Sequence, residues 1–168
     1  LLLSVTFYGQ NDYSMSFDGV DDYIDFGDVL NDLALPVTFS FDISIVDSST
    51  TYDVFCTDSD FDLSVDNYFG FVMHVSPSLI ECSYGDGGFA GGHRRTGRSF
   101  VNLSLNSWYN ITVTINGPED FQIYIDAQPQ LMNYDDGGSG GNVSHNSYPY
   151  TFGGSNIGNN ANSFNPCS

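Results

Sequence analysis

The stretch PVTFSFDISIVD, residues 36–47, carries the clearest structural signal in the sequence. Apolar and polar residues alternate from Val37 to Ile45, as they do in a β-strand with one face buried and the other in water. Pro36 stands at the strand entry, where a missing backbone N–H interrupts no ladder. The expected core-facing residues are Val37, Phe39, Phe41, Ile43 and Ile45, and the expected solvent-facing residues are Thr38, Ser40, Asp42 and Ser44.

Short segments of the same kind recur along the chain between turn residues, and no stretch sustains a helical period over ten residues. The other strand-like segments are 13–19, 21–28, 51–57, 67–76, 78–86, 107–117, 119–128 and a short piece around 150–152. A glycine-rich loop is expected at 85–100. A chain of 168 residues buries roughly 70% of its unfolded surface, so it needs no metal or disulfide merely to fold. We therefore expect an all-β protein built as a two-sheet antiparallel sandwich.

The charge is strongly unbalanced. The chain has three arginines, no lysine and 21 acidic residues, for a net charge of −18. Such a surface repels nucleic acids and anionic membranes, so we expect no nucleic-acid partner. No run of 18 apolar residues is present, so we expect no membrane span. The composition favours an extracellular or cell-surface protein.

Four motifs resemble the concanavalin A-like lectin/glucanase superfamily, in particular its laminin-G-like and pentraxin-like domains. They are MSFDGVDDYIDFGD (15–28), VTFSFDISI (37–45), LNSWYNITVTING…FQIYIDAQ (105–128) and YTFGGSNIG (150–158). The resemblance covers Ser14 to Phe164 and implies a jelly-roll sandwich. Two departures are visible: Ala127 replaces a usual glycine, and the family's closing strand does not follow Phe164.

The first ten residues, LLLSVTFYGQ, form an additional alternating strand in front of the resembling region. We expect residues 1–13 to be a donor strand with a short hinge and residues 14–168 to be the jelly-roll domain, with the N-terminal strand replacing the missing C-terminal one. The residues expected to be buried in this exchange are Leu1, Leu3, Val5 and Phe7. Their burial is worth roughly 6–10 kcal/mol as an upper bound.

The N-terminal strand has two possible pairing arrangements, and the third alternative is a frayed N-terminus that pairs with nothing. It can fill the gap in its own sheet, or it can fill the gap of the next copy of the chain. The short hinge at 11–13 favours exchange between copies, which generates helical homopolymers. The leading hypothesis is thus a secreted structural subunit of an extracellular filament.

Covalent modification is expected at two kinds of site. Cys56 and Cys82 lie on candidate strands, and a disulfide between them is plausible in an oxidising compartment; Cys167 has no assigned partner. Three sequons predict N-linked glycans: they begin at Asn102, Asn110 and Asn142. Asn110 alternates with apolar neighbours, so its side chain should point to solvent.

Ligand sites are expected in two places. The resemblance implies a Ca²⁺ site at Asp18, Asp21 and Asp22, although turns capped by aspartate side chains explain the same residues. No cofactor is required. The basic loop with Arg94, Arg95 and Arg98 can pair with acidic residues of its own domain, with another copy, or with an acidic glycan.

Catalysis has little support in the sequence. A glycoside hydrolase needs a pair of closely placed carboxylic acids, whereas the two glutamates, Glu81 and Glu119, are far apart. We expect no enzyme. The alternative to the filament is a carbohydrate-binding, lectin-like module, which would bind a polysaccharide with exposed aromatic residues or with the basic loop and keep the N-terminal strand in its own sheet.

Overall fold

The computed structural model describes residues 14–17, 22–48, 52–58, 68–89, 91–137, 142–147 and 149–153. These residues form two antiparallel sheets. In spatial order, the seven-stranded sheet contains β1 (Ile24–Gly27), β11 (Tyr150–Phe152), β3 (Tyr52–Cys56), β4 (Phe71–Ser76), β5 (Leu79–Gly85), β6 (Arg94–Phe100) and β10 (Asn133–Gly137). The four-stranded sheet contains β2 (Val37–Ser44), β7 (Trp108–Gly117), β8 (Asp120–Ile125) and β9 (Gln128–Pro129). The expected all-β, two-sheet jelly-roll sandwich is confirmed.

The core lies between the inner faces of the two sheets. On β7, the inward residues Ile111, Val113 and Ile115 are completely buried. They pair in register with the inward residues of β2, and the ring of Phe39 on β2 lies 4.5 Å from that of Phe55 on β3. The alternation read from residues 37–45 therefore does mark one core-facing side.

The two sheets approach closely where β6 crosses β8. A Cβ atom added to Gly97 of β6 would lie 2.6 Å from two ring carbons of Phe121 on β8. Phe121 is only 3% exposed, and its ring stacks against Tyr84 at a centroid distance of 6.0 Å. Glycine at position 97 is required by this contact between sheets.

Strand β2 lies at the edge of the four-stranded sheet. Among the described strands it pairs with β7 alone, over all eight of its residues and without a register shift. Its inward residues Val37, Phe39 and Phe41 remain only half-buried, whereas the residues opposite them on β7 are fully buried. The apolar side of β2 is therefore incompletely covered.

The expected Cys56–Cys82 disulfide is contradicted by the sheet register. Cys56 lies opposite Val72 of β4, and Cys82 lies opposite the next residue, Met73. Successive residues of a strand point to opposite faces, so the two cysteines face opposite sides of the sheet with β4 between them. Two strand spacings, about 10 Å, exceed the Cα–Cα distance that a disulfide spans. Burial also raises the pKa of the Cys82 thiol, which keeps it protonated and unreactive.

Three local expectations also change. Residues 14–17 form no strand; instead the Phe17 ring lies 6.1 Å from that of Phe152 on β11. Strand β1 pairs with β11 rather than with the segment before it. The expected glycine-rich loop at 85–100 is largely β6, and β10 was not expected at all.

The expected donor strand and hinge, residues 1–13, lie outside the described residues, and so does Cys167. Within the ranges that the structure describes, no helix is long and apolar enough to cross a membrane.

Candidate functional site

The outer side of the four-stranded sheet is a continuous polar surface, which we call the polar face. It forms because every second residue of β2, β7 and β8 is polar or aromatic, while the residues between them point into the core. The register aligns these outward residues in rows across the sheet. The polar face consists of Thr38, Ser40, Asp42, Ser44, Trp108, Asn110, Thr112, Thr114, Gln122 and Tyr124.

Hydrogen bonds order the middle of the polar face. Asn110 Nδ2 donates to Asp42 Oδ1 at 2.9 Å, and Thr112 Oγ1 lies 3.2 Å from Asn110 Oδ1. The hydroxyls of Thr112 and Ser40 are 2.8 Å apart across the two strands. Each of these groups keeps further donor or acceptor capacity toward solvent, so the row offers positioned polar groups to a ligand.

An aromatic side chain stands at one end of the polar face. Trp108 is 58% exposed and lies opposite Ser44 in the register. Tyr124, further along, is half-buried. Exposed rings with a polar tip suit recognition of ligands that have both apolar and hydroxylated surfaces.

A tight turn closes the polar face on the side of β9. Asp126 and Ala127 both have positive φ angles, 48° and 62°, as the central residues of a type I′ hairpin turn do. Asp126 Oδ1 accepts a hydrogen bond from the backbone N–H of Asn110 at 2.9 Å, and Asp126 N–H donates to the Asn110 carbonyl, also at 2.9 Å. The turn thus fixes the backbone at the centre of the polar face.

The three expected glycosylation residues all have exposed side chains: Asn102, Asn110 and Asn142. The expectation that Asn110 faces solvent is confirmed, since it lies on the polar face. Glycan occupancy at these residues stays a prediction.

The expected basic loop is not a loop, because its arginines lie on or at the start of β6. Arg95 is 8% exposed and its Nη2 lies 2.7 Å from Glu119 Oε1. Arg98 Nη2 lies 3.1 Å from Glu81 Oε2, and the Arg94 guanidinium covers an aromatic ring. Pairing with acidic residues of the same chain, one of the three alternatives, is therefore observed for Arg95 and Arg98.

The expected calcium residues are described only in part. Asp18 and Asp21 lie outside the described ranges, and Asp22 is exposed. In the part of the chain that the structure describes, no group of three or more His, Cys, Asp or Glu side chains is placed to hold a metal ion. Calcium binding at this segment stays a prediction.

The structure contains a buried polar network around Asp58 and His145 that the sequence did not predict. Asp58 is completely buried and accepts hydrogen bonds from the Asn146 backbone and the Thr57 hydroxyl, at 2.6 and 2.9 Å. His145 lies between Asp58 and the Leu33 carbonyl, 2.7 Å and 2.8 Å away, so its Nε2 carries a proton. Burial raises the pKa of Asp58, partly offset by these hydrogen bonds. The network joins three segments far apart in sequence, and no periodicity could have revealed it.

No protein-family model matches the sequence, and no curated protein matches it. Among solved structures, the chain is similar to the carbohydrate-binding module CBM66 from Bacillus subtilis. The identity is 18%, the TM-score is 0.40, and the match covers 71% of this chain and 73% of the other. At this level of similarity we draw no argument about function from it.

Proposed function

We propose that this protein is a carbohydrate-binding, lectin-like module that binds a polysaccharide on the polar face. The observation that carries the proposal is the ordered row of exposed hydroxyl, amide and carboxylate groups beside the exposed ring of Trp108. Sugars present hydroxyl groups around their rings and C–H groups on their faces. The row supplies hydrogen-bonding partners, and the indole supplies a flat apolar surface.

The length of the polar face and the charge of the chain restrict the class of ligand that can bind. Trp108 and Thr114 are six residues apart on one strand, about 20 Å, which accommodates a short run of sugar residues in a chain. The net charge of −18 and Asp42 in the middle of the row disfavour an anionic glycan. The ligand class is therefore a neutral polysaccharide.

The test compares Trp108→Ala with Phe100→Ala by affinity electrophoresis and calorimetry against a panel of neutral polysaccharides. Phe100 is a matched control because it is 69% exposed but lies on the other sheet. We expect Trp108→Ala to weaken binding at least about tenfold, equivalent to about 1.4 kcal/mol, and Phe100→Ala to change it less than about twofold. If no neutral polysaccharide binds, or if both variants bind as the wild type does, the proposal is wrong.

The remaining elements of the proposal rest on the sequence. The motifs that resemble the concanavalin A-like superfamily support membership of it. A non-catalytic role is supported by the two glutamates, because each of them pairs with a different arginine. An extracellular location, calcium binding and N-glycosylation at Asn102 and Asn142 are proposed on the same footing, whereas a glycan on Asn110 would cover the polar face and is an alternative to ligand binding there. Mass spectrometry of secreted protein would reveal occupied sequons.

A filament subunit is the second candidate, and it rests on the sequence alone, on the alternating pattern of the first ten residues. Electron microscopy and light scattering over a range of concentrations separate the candidates. Linear polymers of constant repeat would support the filament, whereas monomers that bind glycan would support the module alone.

A further inference from the structure

Three exposed apolar side chains lie close together at the Trp108 end of the polar face, and we call them the apolar end. They are Val46, Leu105 and Trp108, which are 55%, 38% and 58% exposed. A single exposed apolar side chain is ordinary on a protein surface, whereas a group of them marks an interaction site. The hydrogen-bonding row of the polar face does not account for this group.

The backbone brings these residues to the same end of the four-stranded sheet. Ser44, the last residue of β2, lies opposite Trp108, the first residue of β7. Past this pair, the Asn106 N–H donates to the Ile45 carbonyl at 2.8 Å, so the chain that enters β7 stays beside the chain that leaves β2. The next residues on the two chains are neighbours for the same reason; they are Val46 and Leu105.

Alternation directs Val46 to the side of the polar face. Ile45 is 1% exposed and belongs to the core, whereas Val46 is 55% exposed. Successive side chains of an extended segment point to opposite sides, so Val46 continues the outward row that contains Ser44. Two residues on one side of a strand are about 7 Å apart, which is within the reach of one sugar substituent.

The loop that carries Leu105 is held in place on both sides of that residue. The Tyr109 hydroxyl accepts a hydrogen bond from the Ser104 N–H at 2.9 Å, and Asn106 is tied to β2 as described. Asn106 also has a φ of 58°, a left-handed conformation that asparagine adopts more readily than most residues. The apolar end is therefore built into the fold.

We propose that the apolar end selects for acetyl groups, so that the ligand of the polar face is an acetylated neutral polysaccharide. This inference rests on the proposed function. An acetyl group combines a methyl group, which suits Val46, with a carbonyl oxygen, which can accept a hydrogen bond from the Ser44 hydroxyl beside it. Burying one methyl group is worth about fourfold in affinity, whereas a sugar hydroxyl in the same place would lose hydrogen bonds to water.

Calorimetry on the wild-type protein with two matched pairs of neutral ligands tests the proposal. One pair is O-acetylated glucomannan and the same polymer after alkaline deacetylation. The other pair is chitohexaose and cellohexaose, which differ in the N-acetyl group. We expect the acetylated member of at least one pair to bind at least about fourfold tighter than its partner, and the pair that shows this preference distinguishes an ester from an amide.

The variant Val46→Ser connects the preference to the apolar end. It should reduce the preference to less than about twofold and leave the affinity for the unacetylated ligand within about twofold of the wild type, because one lost methyl contact accounts for about fourfold. Val29→Ser is the matched control, since Val29 is 64% exposed but follows β1 of the other sheet. It should keep the full preference.

Three results would overturn the proposal. They are no binding of either acetylated ligand, equal affinity for both members of both pairs, and a preference that Val46→Ser retains. The proposed function is judged separately, by the effect of Trp108→Ala on binding of any neutral polysaccharide. If that variant weakens binding while acetylation makes no difference, the carbohydrate site stands and only its selectivity for acetyl groups is wrong.

Discussion

The contact between Gly97 and Phe121 gives the most direct test of how the two sheets pack. In the variant Gly97→Ala, the new methyl group would lie 2.6 Å from Phe121 Cγ and Cδ1 and 2.9 Å from its Cβ. Ordinary carbon contacts begin near 3.5 Å, so the ring or the strand must move by almost 1 Å. The ring cannot turn away, because Tyr84 stacks on one side and Tyr134 meets it edge-on at 5.9 Å.

The magnitude follows from two opposing terms. Overpacking a core costs about 1–3 kcal/mol, while replacing glycine within a strand returns about 0.5–1 kcal/mol by restricting the unfolded chain. We expect Gly97→Ala to lower the free energy of unfolding by about 1–2 kcal/mol, which lowers the melting temperature by about 2–8 °C. Urea unfolding and thermal melts followed by circular dichroism measure both quantities. Gly117→Ala is the control, because its added Cβ would meet nothing within 4 Å.

A double-mutant cycle identifies the cause of the loss. Phe121→Ala alone should cost about 3–5 kcal/mol by leaving a cavity. In that background most of the clash disappears, so Gly97→Ala should be nearly neutral, with a coupling energy of about 1 kcal/mol or more. Equal losses in both backgrounds would show that the ring is not what the methyl group meets. A Gly97→Ala protein as stable as the wild type would refute the close approach of the sheets.

Two further predictions concern the turn beside the polar face and the buried network. Ala127→Gly should stabilise the fold by about 0.5–1 kcal/mol in urea unfolding, because a φ of 62° strains alanine but not glycine; a loss of stability would contradict the type I′ turn. Burial raises the pKa of Asp58 above its ordinary value of 3.8. Above pH 3.8 the folded state therefore retains a proton that the unfolded state has lost. As a result, the contribution of Asp58 to stability falls as the pH rises. The difference in unfolding free energy between the wild type and Asp58→Asn should therefore decline from pH 4 toward neutrality, and a difference that is constant or increases with pH would contradict this.

The four-stranded sheet was largely predictable from the sequence, and the seven-stranded sheet was less so. Residues 37–45 and 107–125 alternate clearly because one side of each strand faces water. Strand β6 reads as a loop, since its glycine and arginines carry no such alternation, yet Gly97 is required by the ring of Phe121. Alternation also assigns a face only within one strand. It could not reveal that Cys56 and Cys82 face opposite sides, because that depends on how β3, β4 and β5 pair.

The polar face was predictable only in pieces for the same reason. The sequence places Asn110, Thr112 and Thr114 on one side of a strand, and Ser40 and Asp42 on one side of another. Only the pairing of β2 with β7 brings Asn110 within 2.9 Å of Asp42. The buried pair of Asp58 and His145 is 87 residues apart in sequence, so no local sequence pattern could predict it.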